Sequence, residues 1–150
     1  VALTIDFFWS KGTMDTTILS PVLAMLCLTF AVWLWMFITR FRYIGANRVD
    51  AQDMATPKQV YDLLPPAAAN AGYNFRNLFE IPVVFYVVCF YLVLTQQVDS
   101  MHVTCAWIFF CLRVIHSIIQ CSYNNVNHRF GVYALACVAL WVMLARAVLA

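Results

Sequence analysis

Residues 18–38 read ILSPVLAMLCLTFAVWLWMFI, 21 positions without a charge. A helix rises about 1.5 Å per residue, so about 20 such residues cross the hydrocarbon core of a bilayer. The run ends at Arg40 and Arg42, with Tyr43 beside them as an interfacial aromatic. It is too long for the apolar part of a signal peptide, and it lacks the basic flank and small-residue cleavage site of one. The rest of the chain agrees with a membrane reading. Of its 150 residues, 64% are hydrophobic and 11% charged. Soluble domains average about 45–50% apolar and about 25% charged. A soluble fold of this length has too little interior to hide that much apolar surface, whereas lipid solvates it. The net charge of +2 and the lack of a basic run argue against nucleic acid as a partner.

Three more spans follow. The second centres on Ile81 to Leu94, which is too short alone. Its helix therefore extends backward through Leu78, Asn77 and Arg76 and begins near Ala67. Pro82 removes one backbone hydrogen bond and is expected to kink this helix near Leu78. After the turn Thr95–Ser100, which holds Asp99, the third span runs from Met101 to Cys121. The fourth runs from Phe130 to Leu149. The only long polar stretch is 43–66. Within it, Thr56-Pro57-Lys58-Gln59 has a cap residue, proline at the first helical position and Gln three after the cap. That predicts a short helix over 57–64, stopped by Pro65-Pro66.

The expected architecture is all-α: an integral membrane four-helix bundle over residues 17–150. Residues 1–16 read as an N-terminal extension, native or a vector remnant. Met14 is an alternative start, and Phe7-Phe8-Trp9 suits the membrane interface. Arg40, Arg42, Arg48, Lys58 and Arg76 gather on the first loop and its helix ends, and Arg129 on the third loop. Only Lys11 and Arg146, with the acidic Asp99, lie opposite. The positive-inside rule then puts loops one and three in the cytoplasm and both termini across the membrane.

Spans two and three carry residues that lipid rejects. Asn77 and Glu80 are three apart and share a helix face, with Tyr73 and Asn74 one turn back. Arg113, His116, Ser117 and Gln120 line one side of span three, and Tyr123 or Asn124 extends the row. An ionisable group at membrane depth costs about 2.5–3.5 kcal/mol on insertion scales, so these face protein or a water-filled cavity. Glu80 needs a cation, and Arg76, Arg113 and Arg129 are the candidates. A Glu80–Arg113 pair that only fixes packing is one reading. A polar pocket for an anionic ligand at the cytoplasmic boundary is the other, and the number of polar groups favours it. His102 and His116, fourteen apart, have a haem-ligand spacing, but each haem would need a second histidine from another helix. Cys27, Cys89, Cys105, Cys111, Cys121 and Cys137 form no CxxC pair and read as small buried hydrophobes. No metal site is expected.

The stretch Phe75-Arg76-Asn77-Leu78-Phe79-Glu80-Ile81-Pro82 resembles the hallmark of the MAPEG family, the membrane-associated proteins of eicosanoid and glutathione metabolism. Arg113-Val114-Ile115-His116, with Arg129 sixteen residues after Arg113, is similar to the third-helix and following-loop pattern of its microsomal prostaglandin synthase branch. The resemblance covers the chain from about Thr17 to the end. The wording Asn-Leu-Phe-Glu-Ile-Pro looks like bacterial branches, which implies a bacterial inner membrane.

The resemblance implies a homotrimer with glutathione sites between neighbouring subunits, open to the cytoplasm. It implies a glutathione-dependent transferase or peroxidase acting on lipophilic electrophiles. Arg76, Asn77 and Glu80 would hold glutathione, Arg113 and His116 would complete the pocket, and Arg40 or Arg42 would contribute from one subunit. Arg129 matches the arginine assigned to the thiolate and is the expected catalytic residue. The sequence departs from the pattern at three places. Gln120 stands where several members place a tyrosine, with Tyr123 one turn further, and both remain pocket candidates. Tyr73 and Phe75 replace an arginine and a histidine. These departures keep open an alternative: a non-catalytic binding or accessory protein whose stripe binds a lipid headgroup or stabilises the trimer.

Overall fold

The computed structural model describes residues 15–149. The expectations for Phe7-Phe8-Trp9, Lys11 and Met14 lie outside these residues. The 21-residue apolar run becomes helix α1, Leu19–Asn47. It continues past Ile38 through Arg40 and Arg42. At about 1.5 Å per residue, this carries the helix more than 10 Å beyond the hydrocarbon boundary. Arg48, left-handed at φ 51°, ends it by donating its N–H to Ile44 O.

The polar stretch folds as the sequence predicts. A 3-10 turn, Ala51–Met54, leads to α2, Pro57–Leu63. Thr56 N–H donates to Gln59 Oε1 at 3.0 Å, and Gln59 N–H returns to Thr56 Oγ1 at 3.3 Å. This reciprocal cap satisfies two donors that a helix start leaves unpaired. Pro65 is extended and Pro66 opens α3, Pro66–Asn77, from the first-turn position that tolerates proline.

The second span differs from expectation. It is not one kinked helix. After α3, Leu78 to Glu80 form a turn, and α4, Ile81–Leu94, starts afresh. Glu80 has φ −99° and ψ −105°, which no helix contains. Pro82 has no N–H for the Leu78 carbonyl and sits in the first turn of α4, where that absence is harmless. The two helices still make one apolar crossing, Pro66–Leu94.

Helix α5, Ser100–Cys121, is capped by Asp99, which accepts the His102 N–H at 2.8 Å. Helix α6 is Val126–Leu149. Its start is set by Asn125, whose Oδ1 accepts the N–H groups of Asn127 and His128. It begins four residues before the apolar run, so Arg129 lies in its first turns and not in a loop. At the other end, Arg146 donates to Asp99 and joins the end of α6 to the start of α5.

Four helices are long and apolar enough to cross a membrane. Among the described residues the chain is entirely helix and turn. Helices α5 and α6 form a hairpin, α1 packs on α3 and α5, and α4 packs on α6 and α1. At the centre, the rings of Phe85 and Phe109 stack at 4.5 Å with an 11° tilt. Met25, Leu92, Leu140 and Met143 fill around them, and Ala106 and Ala136 let backbones approach. Outward faces carry Leu23, Phe30, Val87, Leu94, Ile118 and Val148. Apolar residues outside as well as inside mark a lipid-facing surface. The protein is an all-α integral membrane four-helix bundle.

Candidate functional site

Asn70, Asn74 and Asn77 recur at four and three on α3, and Arg113, Ser117 and Gln120 at the same spacings on α5. Each set occupies one helix face, and the packing of α3 on α5 brings the two faces together. Arg113 Nη2 donates to Asn77 Oδ1 at 2.5 Å. Asn77 Nδ2 donates to Glu80 Oε2 at 2.9 Å. Ser117 Oγ donates to Asn74 Oδ1 at 3.3 Å, and Asn74 Nδ2 donates to Cys121 Sγ at 3.4 Å.

Glu80 therefore has no direct arginine partner. Among the described residues no cation forms an ion pair with it. The Asn77 amide stands between the two charges because it can accept from a guanidinium and donate to a carboxylate at once. The break before α4 helps, since it turns Glu80 outward while Arg113 stays fully buried. Two Arg113 nitrogens, Nε and Nη1, lack partners, as does His116 Nδ1. Tyr133 lies over both groups: its ring centre is 5.9 Å from the Arg113 guanidinium carbon and 6.2 Å from the His116 ring. A buried unpaired donor costs about 1–3 kcal/mol, and more when charged, so such groups mark places where further polar partners are needed.

These residues border a cavity of about 240 Å³ lined by Asn77, Glu80, His116, Arg129, Tyr133 and the apolar Val126 and Phe130. A second cavity, about 430 Å³, lies on the opposite side of α3 beneath α2. Arg40, Thr56, Tyr61, Tyr73 and Arg76 contribute to its wall. Arg40 reaches it by crossing Gly72, where a Cβ would stand 2.8 Å from Arg40 Nη2.

The expected site residues thus divide. Asn77, Glu80, His116 and Arg129 share the smaller cavity, with Arg113 behind Asn77. Arg40 and Arg76 line the larger one. Arg42 is exposed and borders neither. Gln120 is buried with its Oε1 unpaired, away from both cavities. Tyr123 is exposed, its Oη 3.2 Å from His128 Nδ1. Sequence reasoning missed Tyr133. The signal was its position four residues after Arg129, hidden while Arg129 was read as loop. It also missed Asn70, one turn before Asn74.

Four apolar crossings, and a polar row that runs from buried Arg113 through Asn77 to exposed Glu80, describe a multi-pass membrane protein with a cluster of polar groups between two of its helices. Residues 18–149 match the MAPEG family, and the chain belongs to it. Neither a curated protein nor a solved structure shows significant similarity to it.

Proposed function

We propose that this protein is a glutathione-dependent transferase or peroxidase acting on lipophilic electrophiles, working as a homotrimer. The observation that carries the reading is the joint lining of one cavity by Asn77, Glu80, His116, Arg129 and Tyr133, with Arg113 behind it. The donor set fits a tripeptide with an ammonium, two carboxylates and a thiol. Glu80, unpaired with any cation among the described residues, is available to an ammonium. Arg40 and Arg76 line the separate, larger cavity, so they would reach the carboxylates only where a neighbouring subunit brings its larger cavity against this one. A cavity of about 240 Å³ is smaller than the roughly 300–1,000 Å³ of small-molecule sites, which supports a site completed by a neighbouring subunit.

Glutathione, when bound, supplies the thiolate nucleophile for conjugation or hydroperoxide reduction. The task of the chain is to hold that sulfur ionised. A free thiol has a pKa near 8.5, and a guanidinium beside it lowers that value. Arg129, on the cavity wall, is assigned this role. His116 and Tyr133 orient polar atoms there, while Val126 and Phe130 offer an apolar wall to a substrate arriving from lipid. With loops one and three cytoplasmic, the site would face the compartment that holds glutathione, and a bacterial inner membrane is the proposed location.

Millimolar glutathione should raise the melting temperature of the detergent-purified protein, and Arg129→Ala should lower turnover more than binding. No thermal shift together with no conjugation of a lipophilic electrophile would refute the proposal. One observation favours the non-catalytic alternative, a binding or accessory protein. Asn70, Asn74, Ser117 and Cys121 spend their hydrogen bonds within the bundle. That reading predicts function unchanged by Arg129→Ala and trimer lost on Glu80→Ala.

A further inference from the structure

The turn between α5 and α6 holds a polar group that the proposed function leaves unused. Asn124 is left-handed there, at φ 47°, and its N–H closes the end of α5 by donating to Ile119 O at 2.8 Å. Asparagine, aspartate and glycine adopt this conformation more readily than other residues. The side chain looks both ways. Its Oδ1 accepts from Arg129 Nη1 at 2.7 Å, and its Nδ2 donates to Asn70 Oδ1 at 3.1 Å. Asn70, 7% exposed, lies on the same α3 face as Asn74 and Asn77. Two carboxamides in series therefore tie the Arg129 guanidinium to the helix that carries Asn77.

The chemistry of position 124 is narrow. The group must accept from a guanidinium and donate toward α3, which a carboxamide does and a carboxylate cannot. It must also leave the guanidinium charge uncancelled. A carboxylate would hold the arginine more firmly but neutralise it. We propose that Asn124, backed by Asn70, is a positioning residue that fixes the Arg129 guanidinium at the cavity with its positive charge intact. The inference rests on the glutathione reading for its consequence, though not for its geometry.

Asn124→Gly keeps the left-handed backbone and removes the side chain, while Asn124→Asp keeps the side-chain shape and adds a countercharge. The first arm uses the full chain without glutathione and observes the Arg129 guanidinium by nitrogen NMR. Restricted rotation is expected in wild type and in Asn124→Asp, and free rotation in Asn124→Gly. The second arm follows the ultraviolet absorbance of bound glutathione thiolate against pH. Both variants should move the titration upward by about one unit, a tenfold drop in thiolate fraction. The other ionisable groups around the cavity are Glu80 on the α3–α4 turn, Arg113 and His116 on α5, and Tyr133 on α6. All are untouched in both variants, so in Asn124→Gly, which adds no charge, the shift reports Arg129, while in Asn124→Asp it reports Arg129 together with the new carboxylate. Asn70→Ala, which cuts only the far link, should give a smaller shift in the same direction.

Unchanged guanidinium rotation in Asn124→Gly, or unchanged titration in both variants, overturns the inference and leaves the proposed function standing. A wild type whose bound glutathione titrates no lower than free glutathione overturns the proposed function and this inference with it.

Discussion

Replacing Asn77 by leucine tests the central bridge of the site. The leucine has the same branched heavy-atom shape, is somewhat bulkier, and offers Arg113 no oxygen. In the native protein Arg113 is fully buried, its Nη2 has Asn77 Oδ1 at 2.5 Å and Asn77 O at 3.4 Å, and Nε and Nη1 have no partner. The substitution removes its one short hydrogen bond and leaves only the marginal backbone contact. A hydrogen bond to a charged group is worth about 1.5–3 kcal/mol, and stripping a buried charge of its partner costs about 3–5 kcal/mol in soluble proteins. Interhelical hydrogen bonds within bilayers average about 0.6 kcal/mol and reach about 1.7, because the unfolded state also finds partners there. The charge on Arg113 places this bond above the bilayer average, and access to the neighbouring cavity water holds it below the soluble limit. The expected loss is therefore about 2 kcal/mol, measured as the unfolding free energy in mixed micelles titrated with a denaturing detergent. Arg113→Met should cost less, because Asn77 faces the cavity and its amide can find water. The double variant should be nearly as stable as Arg113→Met alone, giving a coupling energy above about 1 kcal/mol. Additive effects, or a single Asn77→Leu loss under about 0.5 kcal/mol, would show that Asn77 does not carry the buried charge.

Two further outcomes concern the two ends of the bundle. The Asp99 carboxyl is held below the usual carboxylate range, first by the His102 N–H and then by the Arg146 guanidinium. A depressed folded pKa means that its stabilisation is present above the unfolded carboxyl pKa and is lost as pH falls through the folded value. Unfolding measured between neutral and acid pH should show wild type losing its advantage over Asp99→Asn across that range, and a constant difference would refute this. Gly72→Ala should leave stability within about 0.5 kcal/mol, because the crowded atom is the flexible end of Arg40. It should nevertheless weaken glutathione binding by displacing that guanidinium from the larger cavity, as read by calorimetry.

Much of the fold was legible because single residues decide it. The charge-free run from Ile18 to Ile38 demands a span, and Thr56 with Gln59 demands a helix start. Two features were not legible. Pro82 signalled disruption, but whether α3 and α4 bend or separate depends on how the backbone freed at Leu78 is satisfied, which is a tertiary matter. The start of α6 depends on Asn125 as a cap, and reading hydropathy alone placed the helix four residues late. That error displaced Arg129 into a loop and concealed Tyr133 on the same helix face. Residue type predicted which groups are polar and buried. It did not predict that an amide would come between Glu80 and Arg113, since complementary charges in a sequence suggest a pair and say nothing about what lies between them.

That interposed amide bears on function as well as packing. Had Glu80 and Arg113 paired directly, each would have spent its charge on the other, leaving Arg129 as the one uncancelled charge on the cavity wall among the described residues. The Asn77 amide instead gives each a hydrogen bond and leaves both charges uncancelled. Asn124 does the same for Arg129 at the far wall. In both places a neutral carboxamide restrains a charged group that faces or backs the cavity. The inner part of the row, Asn70, Asn74, Ser117 and Cys121, is satisfied within the bundle. The outer part is fixed in position with its charge still available. A stripe evolved only to staple helices would gain by pairing its charges, because an uncompensated charge near lipid is costly. One carboxylate and two guanidiniums without a countercharge among the described residues, at or behind one cavity, support the proposed ligand, which carries both signs of charge.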